Sequence, residues 1–277
     1  MKAERLAYSE PEAGGYLRYT EFRRSPLQRN RLSCLVDSLE LFYPEPARVR
    51  ILEVGCGTGN VCLPLAGLGY RVRAIDIDPA SIEAAEEKNI FPNLTLAVRP
   101  MEEEDISAFD VVILTEVLEH IPDADRFFTD LAGRLSPGAL LLLTVPNGWG
   151  ISELFFRPAY RLKKQGRGFA LIRRVRRILG ARELTTANPD TPHLHFFTRD
   201  RLAALFRNNR LRLLRFYRIF FLWTLFESLF SARRLPESWA RRDFSLSQRL
   251  PEVLSSTWIF LLRKEGTGEA GAAPGRL

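Results

Sequence analysis

Residues 49–60 read Val49-Arg50-Ile51-Leu52-Glu53-Val54-Gly55-Cys56-Gly57-Thr58-Gly59-Asn60. A short strand-forming run enters a glycine-rich turn, and a helical segment expected over 60–68 follows it directly. Glycine in such a turn lets a ligand come close to the backbone, because a Cβ there would collide with it. A dinucleotide fingerprint spaces its glycines as G-x-G-x-x-G and needs Gly or Ala at position 60. Asn60 stands there instead, and the third glycine comes one residue early, at Gly59. That spacing speaks against a pyrophosphate seat. No G-x-x-x-x-G-K-[ST] phosphate loop is present either.

Outward from this turn the pattern is regular. Further strand-like runs lie at 71–77, 94–98, 110–115 and 139–145, with helical segments at 79–89 and 123–135. Near-continuous apolar strands alternating with amphipathic helices predict a parallel sheet covered on both faces. Upstream, Leu32, Leu35, Val36, Leu39 and Phe42 form a helical stripe within 27–43 that Pro44 ends, and residues 1–26 read as a loose polar leader. Downstream, residues 148–192 break the rhythm with clusters such as Arg173, Arg174, Arg176 and Arg177, and a loop of that length reads as functional or disordered. A helix is expected at 199–208 and strands at 211–221 and 257–263. Between those strands lies an aromatic and basic segment, 222–256, and a Gly/Ala-rich tail from 265 is expected to be disordered.

The 277 residues, 46% of them apolar, suffice for one large α/β domain with a modest appendage. The N-terminus has no apolar signal-like run, and the most apolar stretch, 211–230, is interrupted by Arg212, Arg215, Arg218 and Glu227, so no transmembrane helix is expected. Cys34, Cys56 and Cys62 form no disulfide framework, which suits a reducing cytoplasm. The net charge of +7 divides unevenly. Residues 1–147 carry 15 Lys and Arg against 23 Asp and Glu, while residues 148–277 carry 25 against 10. The basic half suits an anionic partner such as a membrane surface, a phosphorylated substrate or nucleic acid; a solvated surface balancing the acidic half is the plainer alternative.

The segment Glu53-Val54-Gly55-Cys56-Gly57-Thr58-Gly59 resembles the first motif of class I S-adenosylmethionine-dependent methyltransferases. Ile75-Asp76-Ile77-Asp78, Phe109-Asp110-Val111-Val112 and Leu135-Ser136-Pro137-Gly138-Ala139 resemble its later landmarks in order. The likeness is strong over 50–145 and weak over 193–263. It implies a Rossmann-like, doubly wound, mostly parallel seven-stranded sheet with helices on both faces and a helical, aromatic lid insertion. The parts would be a leader and cap helix (1–44), a cofactor-binding core (45–147), a basic substrate lid (148–192), a C-terminal completion of the sheet (193–264, with 222–256 inserted) and a tail (265–277).

Carried onto this chain, the resemblance implies that Gly55, Cys56, Gly57 and Gly59 line the methionine part of S-adenosylmethionine. Glu53 and the backbone at Thr115 would hold its amino group, Asp76 would accept from both ribose hydroxyls, and Ile77 would pack on adenine. Met101 with Glu102 would stand at the adenine edge, although the acidic run Glu102-Glu103-Glu104-Asp105 leaves open which of its first residues is meant. Asp78 is expected to cap a helix beginning at Pro79.

After the fourth strand comes Thr115-Glu116-Val117-Leu118-Glu119-His120. In a helical turn, Glu116, Glu119 and His120 would share one face. Such a set could bind Mg, Mn or Zn and activate a substrate hydroxyl; without a metal, His120 could act as general base beside Glu116. A role in shaping the pocket, or in structure alone, is the blander alternative. The E-x-x-E-H pattern resembles ubiquinone-type O-methyltransferases and also small-RNA 3′-terminal ribose 2′-O-methyltransferases. In the RNA branch a histidine from a later H-x-H segment completes the metal site; here His195, ahead of His193, is the candidate. The expected activity is therefore methylation of oxygen on a small or lipid-like acceptor, with the RNA enzyme or a non-catalytic cofactor-binding protein as alternatives. Aromatics such as Phe155, Phe156, Trp223, Phe226 and Trp239 beside basic residues suit a cytoplasmic protein in peripheral contact with the inner face of a membrane. No nucleic-acid-binding module is recognisable.

Overall fold

A computed structural model describes residues 15–21, 26–148, 194–219, 242 and 244–266. Seven strands form one sheet: β1 (Arg50–Val54), β2 (Arg71–Asp76), β3 (Leu94–Val98), β4 (Val111–Thr115), β5 (Leu140–Pro146), β6 (Leu211–Ile219) and β7 (Thr257–Lys264). Their order is β3-β2-β1-β4-β5-β7-β6. The first five are mutually parallel, and β7 runs antiparallel to both β5 and β6. This is the mostly parallel seven-stranded sheet expected from the sequence. Among the described residues the named α-helices are α1 (Pro26–Phe42), α2 (Cys62–Gly67), α3 (Pro79–Glu86), α4 (Ala124–Gly133) and α5 (Arg199–Asn208).

The period-two alternation of the strands sorts their side chains into two cores. Ile51, Val72, Ile113, Leu142 and Ile259 join Leu32, Leu35 and Leu39 of α1 and Leu63 and Leu65 of α2 on one face. Leu52, Val112, Leu141 and Phe260 join Phe128 and Leu131 of α4 and Leu202 and Phe206 of α5 on the other. All seven residues of β5 are buried, as a central strand covered on both sides requires. The chain steps from β1 outward to β2 and β3, then crosses back to β4 on the other side of β1. The carboxyl ends of β1 and β4 therefore flank the point where connections diverge, the usual crevice for a ligand in an open α/β sheet.

The crossover from β3 to β4, for which the sequence reading named no element, holds two 3-10 turns, Met101–Glu103 and Ile106–Ala108. Two local outcomes differ from the sequence expectation. The expected loose leader includes a docked 3-10 turn, Gly15–Tyr19: Tyr16 is buried beside Ser33, and Tyr19 meets Phe91 edge-on at 4.7 Å. The start of the tail is also held, since Glu265 N–H donates to Arg210 O (3.0 Å). In both places burial or backbone pairing supplied by residues distant in sequence overrides a locally polar composition. The remaining expected lid (149–192), His193, most of the 222–256 segment and the tail from 267 lie outside the described residues.

Phe128 is fully buried and packs against Phe206 with ring centroids 5.9 Å apart. Replacing it with alanine leaves a cavity between α4, α5 and the sheet. Phe128→Ala is expected to cost about 3–5 kcal/mol, read as a lower urea midpoint at unchanged m-value.

Candidate active site

The turn after β1 is built by tethers to the neighbouring strand. Gly55 and Cys56 N–H both donate to Ile75 O (2.8 and 3.1 Å), and Gly59 N–H donates to Cys56 O (3.1 Å). Gly57 N–H donates to Asp76 Oδ2 (2.8 Å), while Asp78 N–H donates to Asp76 Oδ1 (3.0 Å). One carboxylate thus joins the glycine turn to the end of β2. The glycines have different reasons to be there. A Cβ on Gly55, at φ +72°, would stand 2.4 Å from Val117 Cγ2, so that position serves packing. A Cβ on Gly57, at φ +51°, would meet nothing within 4 Å, so that position faces open space where a ligand can approach the backbone.

Asp78 fills the capping role expected of it, accepting from Ala80 and Ser81 N–H ahead of Pro79. Ile77 beside it is 74% exposed, an apolar side chain with an open flank at the carboxyl end of β2. Of the acidic run, Glu102 and Glu103 are exposed and Glu104 is buried, where it pairs with Arg73 (2.6 Å) and Arg99 (3.6 Å). Met101 is buried in the core, which leaves Glu102 as the exposed member of the expected pair.

Glu53, in the middle of the sheet on β1, is 1% exposed, and its Oε2 has no hydrogen-bond partner among the described residues. Burial pushes its carboxyl up to about 8, against hydrogen bonds from Cys62 and Thr115 that pull it down, with Asp76 adding to the rise. A cation at this point would stabilise the ionised form.

At the end of β4 the expected helical face does not form. Glu116 sits in the left-handed region at φ +55°, and the 3-10 turn that follows covers only Leu118–His120. Glu116 N–H donates to Thr144 O (3.1 Å), its Oε1 accepts from Thr144 Oγ1 (3.0 Å), and its Oε2 pairs with Arg31 Nη2 (3.3 Å). Its carboxylate is thereby committed to the sheet and to α1. Glu119 is fully buried, with Oε1 4.0 Å from His120 Nε2. His195 backs onto this turn: its backbone N–H donates to Glu119 O (3.2 Å), and its Nε2 lies 3.0 Å from Pro122 O. Among the described residues, no three His, Cys, Asp or Glu side chains are grouped to hold a metal ion. The expected four-ligand set of Glu116, Glu119, His120 and His195 is not assembled, because the left-handed turn sends Glu116 to a guanidinium.

The sequence reading missed two contributors. Arg31, buried on α1, lies one turn before Leu35; a charged residue on the apolar face of a helix was the available signal. Asn60 Oδ1 accepts from Thr20 Oγ1 and Glu21 N–H, both at 3.0 Å, and so ties the docked N-terminal turn to the glycine loop.

A sequence profile described as a methyltransferase domain matches residues 19–215. The chain belongs to the class I S-adenosylmethionine-dependent methyltransferases. It is 32% identical over 128 residues to a ubiquinone biosynthesis O-methyltransferase of Rickettsia typhi, a match covering 45% of this chain and 52% of that protein. The corresponding protein of Xanthomonas axonopodis pv. citri is 36% identical over 108 residues, 37% of this chain and 45% of that one. The chain thus spans about half the length of these relatives. Magnesium protoporphyrin IX methyltransferase of Synechocystis PCC 6803, solved with bound SAH, aligns over 95% of this chain and 93% of its own with a TM-score of 0.53. At 14% identity that likeness carries the fold alone.

The residues of this methyltransferase fit the family's cofactor. Gly57 leaves room at the turn, Asp76 offers acceptors beside it, Ile77 offers an apolar platform, and Glu53 offers a buried carboxyl that a cationic group would ionise.

The raised Glu53 value has a consequence for the cofactor-free protein. Folded, the carboxyl keeps its proton up to about 8; unfolded, it loses it near the ordinary value of about 4.3. The unfolded state therefore gains relative to the folded one as pH rises between those values, and stability falls. Glu53→Gln is expected to flatten the drop in thermal midpoint between about pH 5 and about pH 8, measured by a pH series of melting curves. An equal drop in the variant would show that Glu53 is not its source.

Proposed function

We propose that this protein transfers the methyl group of S-adenosylmethionine to a hydroxyl oxygen of a small or lipid-like acceptor, with His120 as the base. The observation that carries this assignment is the partly exposed imidazole of His120, set against the fully buried carboxylate of Glu119 (4.0 Å) at the carboxyl end of β4. When bound, the cofactor supplies an electrophilic methyl carbon on a sulfonium. The chain has to hold the acceptor in line with that carbon and remove its proton. His120 takes the proton, and Glu119 stabilises the imidazolium that results. Glu116, held by Arg31 and Thr144, fixes the turn on which both stand.

The relatives named for ubiquinone biosynthesis support oxygen as the methylated atom and a lipid-like acceptor. The net charge beyond residue 147 supports contact with an anionic membrane surface. Among the described residues no helix is long and apolar enough to cross a membrane. The placement of Glu116 gives the metal-dependent RNA branch no support.

The test uses methyl-labelled cofactor and a panel of catechols and hydroquinones, with and without a prenyl tail, beside primary amines. Label is expected on the hydroxyl acceptors, and His120→Ala is expected to lower kcat about 10²–10⁴-fold while S-adenosylhomocysteine binding is kept. Transfer to amines alone, or full turnover by His120→Ala, would overturn the proposal.

A further inference from the structure

We infer that Arg134 is a positioning residue for adenine recognition: it fixes the turn after β3 so that the exposed Glu102 reads the amino edge of the purine. This rests on the cofactor assignment above and deepens it. The turn Met101–Glu103 has little internal support. Its own bonds are Glu103 N–H to Pro100 O (3.2 Å) and Glu104 N–H to Met101 O (3.1 Å). So short a 3-10 turn has weak internal hydrogen-bond geometry and depends on outside contacts for its placement.

One guanidinium supplies that orientation. Arg134, the residue that closes α4, donates from Nη1 to Met101 O (3.2 Å) and from Nη2 to Glu102 O (3.2 Å), and Nη2 also donates to Glu104 O. Three carbonyls of the turn and its exit thus converge on a single planar fork, which a lysine ammonium cannot reproduce. Asp130, one helical turn earlier, lies 3.6 Å from Nη1 and steadies the fork from its own helix. The Glu104 side-chain carboxylate is in turn held by Arg73 and Arg99. Met101 is sunk in the core and anchors the turn there.

The position of the turn gives this clamp its meaning. Arg99 N–H donates to Asp76 O (2.9 Å), so the chain enters the turn from the residue assigned to the ribose. Exposed Ile77 lies directly after Asp76. A base stacked on Ile77 would present its edge to the turn, where Glu102 is exposed and Glu104 is already committed. A carboxylate at Glu102 accepts from the 6-amino group of adenine and repels the 6-oxo group of hypoxanthine. A flexible glutamate makes that distinction only if its backbone is fixed, because a mobile one can swing away from the wrong base.

The experiment compares equilibrium binding of S-adenosylhomocysteine and S-inosylhomocysteine to the full chain, to Arg134→Gln and to Arg134→Lys, with folding checked by circular dichroism. The full chain is expected to favour the adenosyl compound by at least about tenfold. In both variants the preference should shrink toward equality, chiefly through weaker adenosyl binding, while inosyl binding changes little. Loss of both affinities in equal proportion, or an unchanged preference in folded Arg134→Lys, would overturn the inference. Failure of the unaltered chain to bind S-adenosylhomocysteine would remove the cofactor assignment itself, a result distinct from either.

Discussion

The bond from Gly57 N–H to Asp76 Oδ2 (2.8 Å) joins the two features on which the rest of the site depends. Tight turns after β1 are common in α/β sheets, but this one is pinned to β2 three times over, at Gly55, Cys56 and Gly57. The pinning fixes the open side of Gly57 and the carboxylate of Asp76 in one frame. It also sets where α2 starts, which places Cys62 beside the buried Glu53. On the proposed assignment, a ligand with a polar chain at one end and a ribose at the other would find both ends addressed by this one junction. Little reorganisation is then needed on binding, which is the usual source of affinity in preformed sites.

Around that junction the protein places ionisable groups where water has little access. Glu53 lies within the sheet and is held protonated by burial, so a bound cation would be rewarded by its ionisation. Arg31 lies buried on α1 and meets Glu116, whose left-handed backbone is paid for by bonds to Thr144. These pairs link α1, β4 and β5 across the upper edge of the sheet. The Arg134 clamp does the same for the crossover between β3 and β4. In each case an arginine from a helix stabilises an irregular segment at the mouth of the crevice, and the regular strands below supply the rigidity.

The parts legible in the sequence were those written in short-range pattern. Near-continuous apolar runs marked the strands, and the run from Glu53 to Gly59 marked the glycine turn after β1. Asp78-Pro79 marked a helix start that the structure forms as expected. The parts not legible depend on partners far along the chain. Nothing local says that β7 inserts between β5 and β6, since that follows from a return of the chain after residue 219. Thr20 meets Asn60 across forty residues, and Arg31 meets Glu116 across a still longer span. The helical face proposed for Glu116, Glu119 and His120 failed for a related reason. Hydrogen bonds between Glu116 and Thr144 on the neighbouring strand hold Glu116 at a positive φ that a residue with a side chain rarely adopts.

The central claim is that the junction of Gly57 and Asp76 is the seat of S-adenosylmethionine. Titration calorimetry with S-adenosylhomocysteine on the unaltered chain and on Asp76→Ala tests it most directly. One site per chain is expected, with Asp76→Ala weaker by at least about tenfold and circular dichroism unchanged. Equal affinity in the two proteins, or no binding to the unaltered chain, would contradict it.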